Sequence, residues 1–373
     1  MEAGSEARIS PLPPGGAAWR GRVRRWLLPG LSSWLLPWAL VLAGLLNVAW
    51  PTYRHYDFSH ALDTRSYLRL AAGRYDSVNV TRRYRLLLPL AAGALARPLR
   101  ALGAPADSGS ASAASGSSGA SSPDEWARRL AFYLLNCLVL SAAAVCWLRA
   151  ARLAGVGPLA AAVAVAAVLS SRWVGYAAGL PLTDSLYLLV FGLGYYAARR
   201  GAGAGWAVAL ALALGPLSKE SFGLLLPWLA WFGRRALGWR GQAGALALGL
   251  AGLAAAHWRV DKLAGAAPAD SLTNALGHVE NLTYSLHKLA SLKGLAELAG
   301  SFGLFGLAAG AALFFRAGRR TLAPVLGWPE AGLLVVVAAH MLLSGDLGRM
   351  AFLLAPVMTV VFGRLMGLGA VGE

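Results

Sequence analysis

The chain has 373 residues, 57% apolar and only 14% charged, and its mean hydropathy of +0.54 excludes an ordinary soluble domain. The net charge of +17 comes from short Lys/Arg clusters between long apolar runs, a pattern of membrane topology. No basic helix with interleaved aromatics, zinc spacing or recognition motif accompanies it, so nucleic-acid binding is excluded as well.

The predicted fold class is all-α: a polytopic integral membrane protein of about 10 transmembrane helices, with a long first outer loop carrying membrane-adjacent helices. Residues 1–30 are Pro/Gly-rich and then basic (Arg20, Arg22, Arg24, Arg25), which reads as a disordered cytoplasmic N-terminus. Residues 31–373 read as a single transmembrane domain. The first apolar run, Leu31–Trp50, lacks a following Ala-x-Ala type cleavage site and is expected to be a retained span. Residues 51–129 form the long outer loop. Within it Leu86–Leu102 is expected to lie on the outer face as an amphipathic or re-entrant helix, and 106–123 (ADSGSASAASGSSGASSP) to be a flexible linker.

Further spans are expected at Leu130–Leu148, Val156–Ser171, Ser185–Ala198, Trp206–Leu217, Ser221–Phe232, Ala245–His257, Leu298–Phe315, Pro324–Leu343 and Met350–Leu365. Several fall short of the ~20 residues that a perpendicular helix needs. The turns holding Arg149/Arg152, Arg199/Arg200, Arg234/Arg235/Arg240 and Arg316/Arg319/Arg320, with Arg364 after the last span, then share one side, and both termini lie inside. A rival topology, in which Leu86–Leu102 crosses, inverts every later cluster. Cys137 and Cys146 fall in one span, which argues against a disulfide or cysteine chemistry.

The acidic residues divide unevenly in this topology. Glu2, Glu6, Glu330 and Glu373 fall inside, and all the others fall outside, although acidic residues barely influence insertion. Four short stretches meet on that outer side. YDFSHALDTRSYLRLAAGRY, from Tyr56 to Tyr75, carries Asp57, His60 and Asp63. GLPLTDSLY carries Thr183 and Asp184, PLSKESF carries Lys219 and Glu220, and SGDLGRM carries Asp346 and Arg349. Ionisable groups at membrane depth are costly and face a cavity or a partner, so each stretch is a candidate site.

Each also has a plain structural reading. Asp63 serves either as the N-cap of a helix over Thr64–Gly73 or as a chemical group, and Asp184 can cap the span that follows it. Lys219–Glu220 can be a solvated turn, and Asp346–Arg349 a helical ion pair. His257 and His340 read as packing groups within spans. Asp57, His60 and Asp63 stand at i, i+3 and i+6 and would converge on one ion only if the segment bends, so no metal and no other cofactor is expected. Arg82, Arg83 and Arg85 present planar donor forks suited to phosphate oxygens, of a lipid headgroup or of a substrate.

The order of these residues resembles the integral-membrane glycosyltransferases of the C fold, which use a lipid-phosphate sugar donor. The likeness covers most of the chain from Leu31 to Gly363. It runs from Asp63 in LDTRSYLRLA, through the basic RRYRLLLPLAAG, to the Thr-Asp of Thr183–Asp184, the Lys-Glu of Lys219–Glu220 and the D-x-x-R of Asp346–Arg349. The adjacent acidic pair common in that family's first loop is absent here. The resemblance implies that Asp63 acts as general base or acceptor-binding group. It implies that Arg83, Arg85, Lys219 and Arg349 hold the donor phosphate; beside Asp63, Asp57 and His60 read as supports. The implied reaction is single displacement with inversion, with membrane lipid and a polyprenyl-phosphate-linked sugar as partners. A composition rich in Ala, Gly, Leu and Arg suggests a GC-rich genome, hence a bacterial inner membrane with the site facing the periplasm. The rivals are a lipid or lipid-linked-sugar flippase, an acyltransferase built around His340, and a non-catalytic envelope assembly protein.

Overall fold

The computed structural model describes residues 34–56, 62–103, 122–264 and 271–367. Asp57, His60, residues 106–121 of the linker and the basic N-terminal segment lie outside them. Among the described residues every regular element is helical.

The first apolar run folds as α1 (Leu35–Val48) and α2 (Trp50–His55), together a stretch of 21 residues long and apolar enough to cross a membrane. The outer loop then supplies α3 (Leu62–Ala71), a single turn α4 (Val80–Arg83) and α5 (Leu87–Ala101). Helix α3 begins two residues earlier than expected. Asp63 therefore sits inside its first turn and is not the cap of a helix over Thr64–Gly73.

Helix α6 (Pro123–Leu153) opens on a side-chain N-cap: the Ser122 hydroxyl accepts from the Glu125 amide at 3.3 Å, and Pro123 stands in the first turn. The expected linker thus ends one residue sooner. Its 31 residues span ~46 Å, more than the ~30 Å hydrocarbon core, so part of α6 extends beyond a bilayer. On its N-terminal part, Ala127, Ala131 and Phe132 pack with Tyr67 and Leu70 of α3 and with Leu88, Ala92 and Ala96 of α5. This small core is what the membrane-adjacent helices build.

The remaining helices are α7 (Pro158–Leu169), α8 (Arg172–Gly179), α9 (Asp184–Arg200), α10 (Gly205–Ser218), α11 (Phe222–Gly233), α12 (Trp239–Ala264), α13 (Ser271–Leu289), α14 (Leu292–Ala312), α15 (Arg316–Leu322) and α16 (Trp328–Ser344). The chain closes with α17 (Leu347–Ala351), a 3-10 turn and α18 (Ala355–Met366). Among the described residues, five helical stretches are long and apolar enough to cross a membrane: 35–55, 123–153, 239–264, 292–312 and 347–366. Helices α7 and α8, bent by 74°, make a sixth if they are one broken span. The other expected spans are the 17-residue α9 and α16, the 14-residue α10 and the 12-residue α11. Helix α13 was not expected at all.

Close packing uses small residues. Trp147 of α6 lies fully buried, its indole 3.0 Å from where a Cβ on Gly192 of α9 would stand. Meanwhile Leu248, Leu250, Leu304 and Leu307 point outward from α12 and α14, which suits lipid and not water.

The bundle has two chemically distinct ends. At one, Trp34, just before α1, meets Tyr196 of α9 and Trp206 of α10 at 5.4 and 5.8 Å, with Arg149 above the Trp34 ring. Arg199 pairs with the buried Glu330 of α16 at 2.7 Å, Arg364 donates to the carbonyl of Ala154, and Arg152 donates to that of Val156 at 2.6 Å. The starts of α3, α9 and α17 and the end of α10 meet at the other.

Candidate functional site

Six charged side chains from five parts of the chain form one connected network at that second end. Its centre is Arg349 on α17. The guanidinium binds the Asp184 carboxylate through both Nε (3.1 Å) and Nη2, and its Nη1 lies 3.5 Å from Asp63 Oδ2 and 4.0 Å from Asp346 Oδ2. Asp63 is also held by Arg82 of α4, and Asp184 by Lys219 at 3.9 Å. Asp184 and Lys219 keep only 12% and 11% of their side-chain surface. Charges so enclosed persist only when paired. Three carboxylates and three cations make the network neutral at rest.

Local structure explains each position. Asp184 starts α9, but its carboxylate turns to Arg349 and Lys219, and Thr183 makes no side-chain cap. Asp346 does cap α17, accepting from the Arg349 amide at 3.2 Å, so the structural reading of this D-x-x-R holds alongside its place in the network. Gly345, at φ +75°, ends α16 in the left-handed conformation and swings the chain into that cap. Lys219 ends α10 in extended conformation; its Nζ lies 3.7 Å from Met350 Sδ and 5.8 Å from the centre of the Tyr187 ring. It is buried and is no solvated turn. Burial lowers its pKa to about 8, against the pull of Asp184.

A second pair borders the first network. Arg85 forks onto Glu220 through Nε (2.9 Å) and Nη2, and its Nη1 donates to the Tyr67 hydroxyl at 2.9 Å. Tyr67 is fully buried, and Thr183 Oγ1 lies 3.5 Å from its hydroxyl, so this pair adjoins the Asp184 stretch. Partial burial pushes the Glu220 carboxyl up, but Arg85 outweighs it and holds the group below its ordinary range.

Thus Asp63, Arg82, Arg85, Asp184, Lys219, Glu220, Asp346 and Arg349 come together. Arg83 does not. It is buried, and its Nε and Nη2 donate to the Val78 carbonyl at 3.2 and 3.0 Å, bracing the loop that carries Arg82. His340 is buried between Tyr187 (2.6 Å) and the Val336 carbonyl (2.8 Å), a packing role that leaves it inside the bundle. His257 stacks on Tyr84 at 3.5 Å. Cys137 and Cys146 are buried free thiols on α6. Among the described residues no group of three or more His, Cys, Asp and Glu could hold a metal ion.

Two features escaped sequence reasoning. Tyr67 follows Asp63 by one helical turn and looked like an ordinary aromatic. Beside Asp346 a cavity of about 540 Å³ opens between α8, α13, α14 and the α16–α17 turn. A small, mostly apolar recess shares Trp173 and Tyr176 with its wall and reaches Asp184 and Arg349 of the network.

Fold and site together define an all-α membrane protein with a charged centre at one end of its helix bundle. No family model, curated protein or solved structure matches the chain.

Proposed function

We propose that the protein is a membrane glycosyltransferase that moves a sugar from a polyprenyl-phosphate donor to an acceptor hydroxyl by single displacement. The observation that carries this reading is the sharing of Arg349 between Asp63 and Asp184, with Arg82 and Lys219 alongside, at the end of the bundle opposite the arginines on helix ends. The ten-span topology, a bacterial inner membrane and a site facing the periplasm belong to the same proposal.

The donor phosphate exchanges for Asp63 on the outermost cation, Arg82, and Lys219 and Arg349 add charge from below. This frees Asp63, whose carboxylate takes the proton from the acceptor hydroxyl as the oxygen attacks the anomeric carbon. The bond from that carbon to the phosphate oxygen breaks, its electron pair stays on the phosphate, and the configuration inverts. Cations already in place stabilise the departing anion without reorganisation. Asp184 keeps Arg349 and Lys219 oriented, and Asp346 fixes the turn that presents Arg349.

The transporter reading predicts polar groups through the bilayer midplane and a repeat between halves; the charges instead collect at the two ends of the bundle, and the carboxylate network at one of them. The test is transfer of radiolabelled sugar from polyprenyl-phosphate sugars by membranes containing wild type or Asp63→Asn. Transfer falling by roughly 10²–10⁴-fold in the variant at equal protein level is the expected result. Full transfer in the variant removes Asp63 from the chemistry, and no transfer from any donor by wild type ends the enzyme reading.

A further inference from the structure

The cavity beside Asp346 lies next to the charged network, and the transfer chemistry above makes no use of its walls. Its lining is unusual for a membrane protein. Trp173 and Tyr176 of α8 form one side, their rings 5.6 Å apart, and Tyr284 of α13 faces it from another. Between them stand charges of both signs: Lys288 bonded to Glu297 at 2.8 Å, Asp346, and Arg172 lying 4.8 Å from the centre of the Trp173 ring. Among the described residues no leucine, isoleucine, valine or phenylalanine lines it. An acyl or polyprenyl chain buries its methylenes against aliphatic side chains, so this wall does not suit one. Aromatic faces set among carboxylates, an amide and cations suit the opposite chemistry: a ring with apolar C–H faces and a rim of hydroxyls that both donate and accept.

We propose that this cavity is a carbohydrate subsite, holding the acceptor sugar so that its reacting hydroxyl points past the recess toward Arg349 and the Asp63 carboxylate beside it. The inference rests on the transfer reading. The volume of about 540 Å³ lies inside the ~300–1,000 Å³ range of small-molecule sites. Trp173 and Tyr176 line both the cavity and the recess, which makes the two spaces neighbours across the same pair of rings. Asn281, Tyr284 and Lys288 stand at i, i+3 and i+7 and so present one face of α13 to the sugar. This accounts for a helix that hydrophobic runs did not announce. Asn281 itself stands within that helix, half-buried, on the cavity wall. Arg172 forms no ion pair among the described residues and remains a donor fork for ring oxygens.

The experiment uses Asn281→Cys in the full-length protein. Cys137 and Cys146 are buried, so the new thiol is the accessible one. The rate of its labelling by a polar maleimide is measured in the presence of methyl glycosides of hexoses, pentoses and hexosamines, and separately with glycerol 3-phosphate. The expected result is that a glycoside slows labelling about tenfold at ten times its Kd, while glycerol 3-phosphate does not. Adding Tyr284→Ala is expected to raise the required glycoside concentration roughly three- to tenfold. Labelling slowed by no glycoside, slowed equally by glycerol 3-phosphate, or protected as well without Tyr284 overturns the subsite. Transfer by wild type without protection sinks the subsite and spares the enzyme reading. Protection without transfer from any polyprenyl-phosphate sugar does the reverse.

Discussion

Both ends of this helix bundle are rich in arginine, but they use it differently. At the end carrying Arg152, Arg199 and Arg364, the guanidiniums donate to backbone carbonyls at or just beyond helix ends, those of Val156, Val325 and Ala154, which the helices themselves leave open. One carboxylate, Glu330, suffices there, paired with Arg199. At the other end Arg82, Arg85 and Arg349 bind carboxylates drawn from helices far apart in sequence, and a cavity lies alongside. The first pattern closes a structure. The second, in the proposed reading, holds charge ready for exchange, with Asp63 in the place the donor phosphate takes.

Breaking the second pattern at its centre should have the largest effect. Arg349→Gln leaves Asp63, Asp184 and Asp346 without their shared cation, and Asp184 is largely enclosed. Removing one partner from a buried pair costs about 3–5 kcal/mol, and sugar transfer should vanish with it. Arg364→Gln at the opposite end loses a bond to one carbonyl, worth ~1 kcal/mol, and should leave transfer intact. Thermal unfolding in detergent and the transfer assay, run on both variants, separate these outcomes. Equal losses of transfer would erase the distinction between the two ends.

Lys219 gives the next effect, and it has a sign. Its pKa of about 8 lies below the ordinary 10.5, so the charged form is disfavoured by burial in the folded protein. Between pH 8 and 10.5 the unfolded chain binds more protons than the folded one, and stability from this group rises with pH across that window. Affinity for an anionic donor moves the other way. Below pH 8 the ammonium is already present, and above it each binding event must take up a proton. The KM for a polyprenyl-phosphate sugar should therefore climb above about pH 8 while thermal stability does not fall with it. Lys219→Arg should flatten the climb. A KM independent of pH to 10 would remove Lys219 from the donor's phosphate.

How much of this was readable beforehand follows from the range of the interactions. The apolar runs that became α1, α6, α12, α14 and α18 announce themselves, because lipid demands continuous apolar surface and the requirement is local. Asp184, Lys219, Asp346 and Arg349 were visible as ionisable groups bounding such runs. Their pairing was not: Asp63 and Arg349 stand 286 residues apart, and nothing in either neighbourhood names the other. Arg82, Arg83 and Arg85 looked alike, yet a single turn of helix sends Arg82 to Asp63 and Arg83 to the Val78 carbonyl. Helix α13 was missed because its polar face serves a cavity formed by other helices, so its residues do not make a continuous apolar run.

The smallest effect tests where the charged centre ends. Glu220 bonds Arg85, but half its side chain is exposed (51%), so solvent screens the pair and its contribution to stability is about 0–1 kcal/mol. In Glu220→Gln the amide can still accept from Arg85 through its oxygen, and Arg85 keeps the buried Tyr67 hydroxyl at 2.9 Å, so its guanidinium stays in position. Transfer should fall by less than about tenfold, against the much larger loss expected for Asp63→Asn. Should Glu220→Gln instead match Asp63→Asn at unchanged thermal stability, Glu220 would itself have to meet substrate. The working centre would then extend through Arg85 to the start of α5, and the neutral network around Arg349 would be only its inner half.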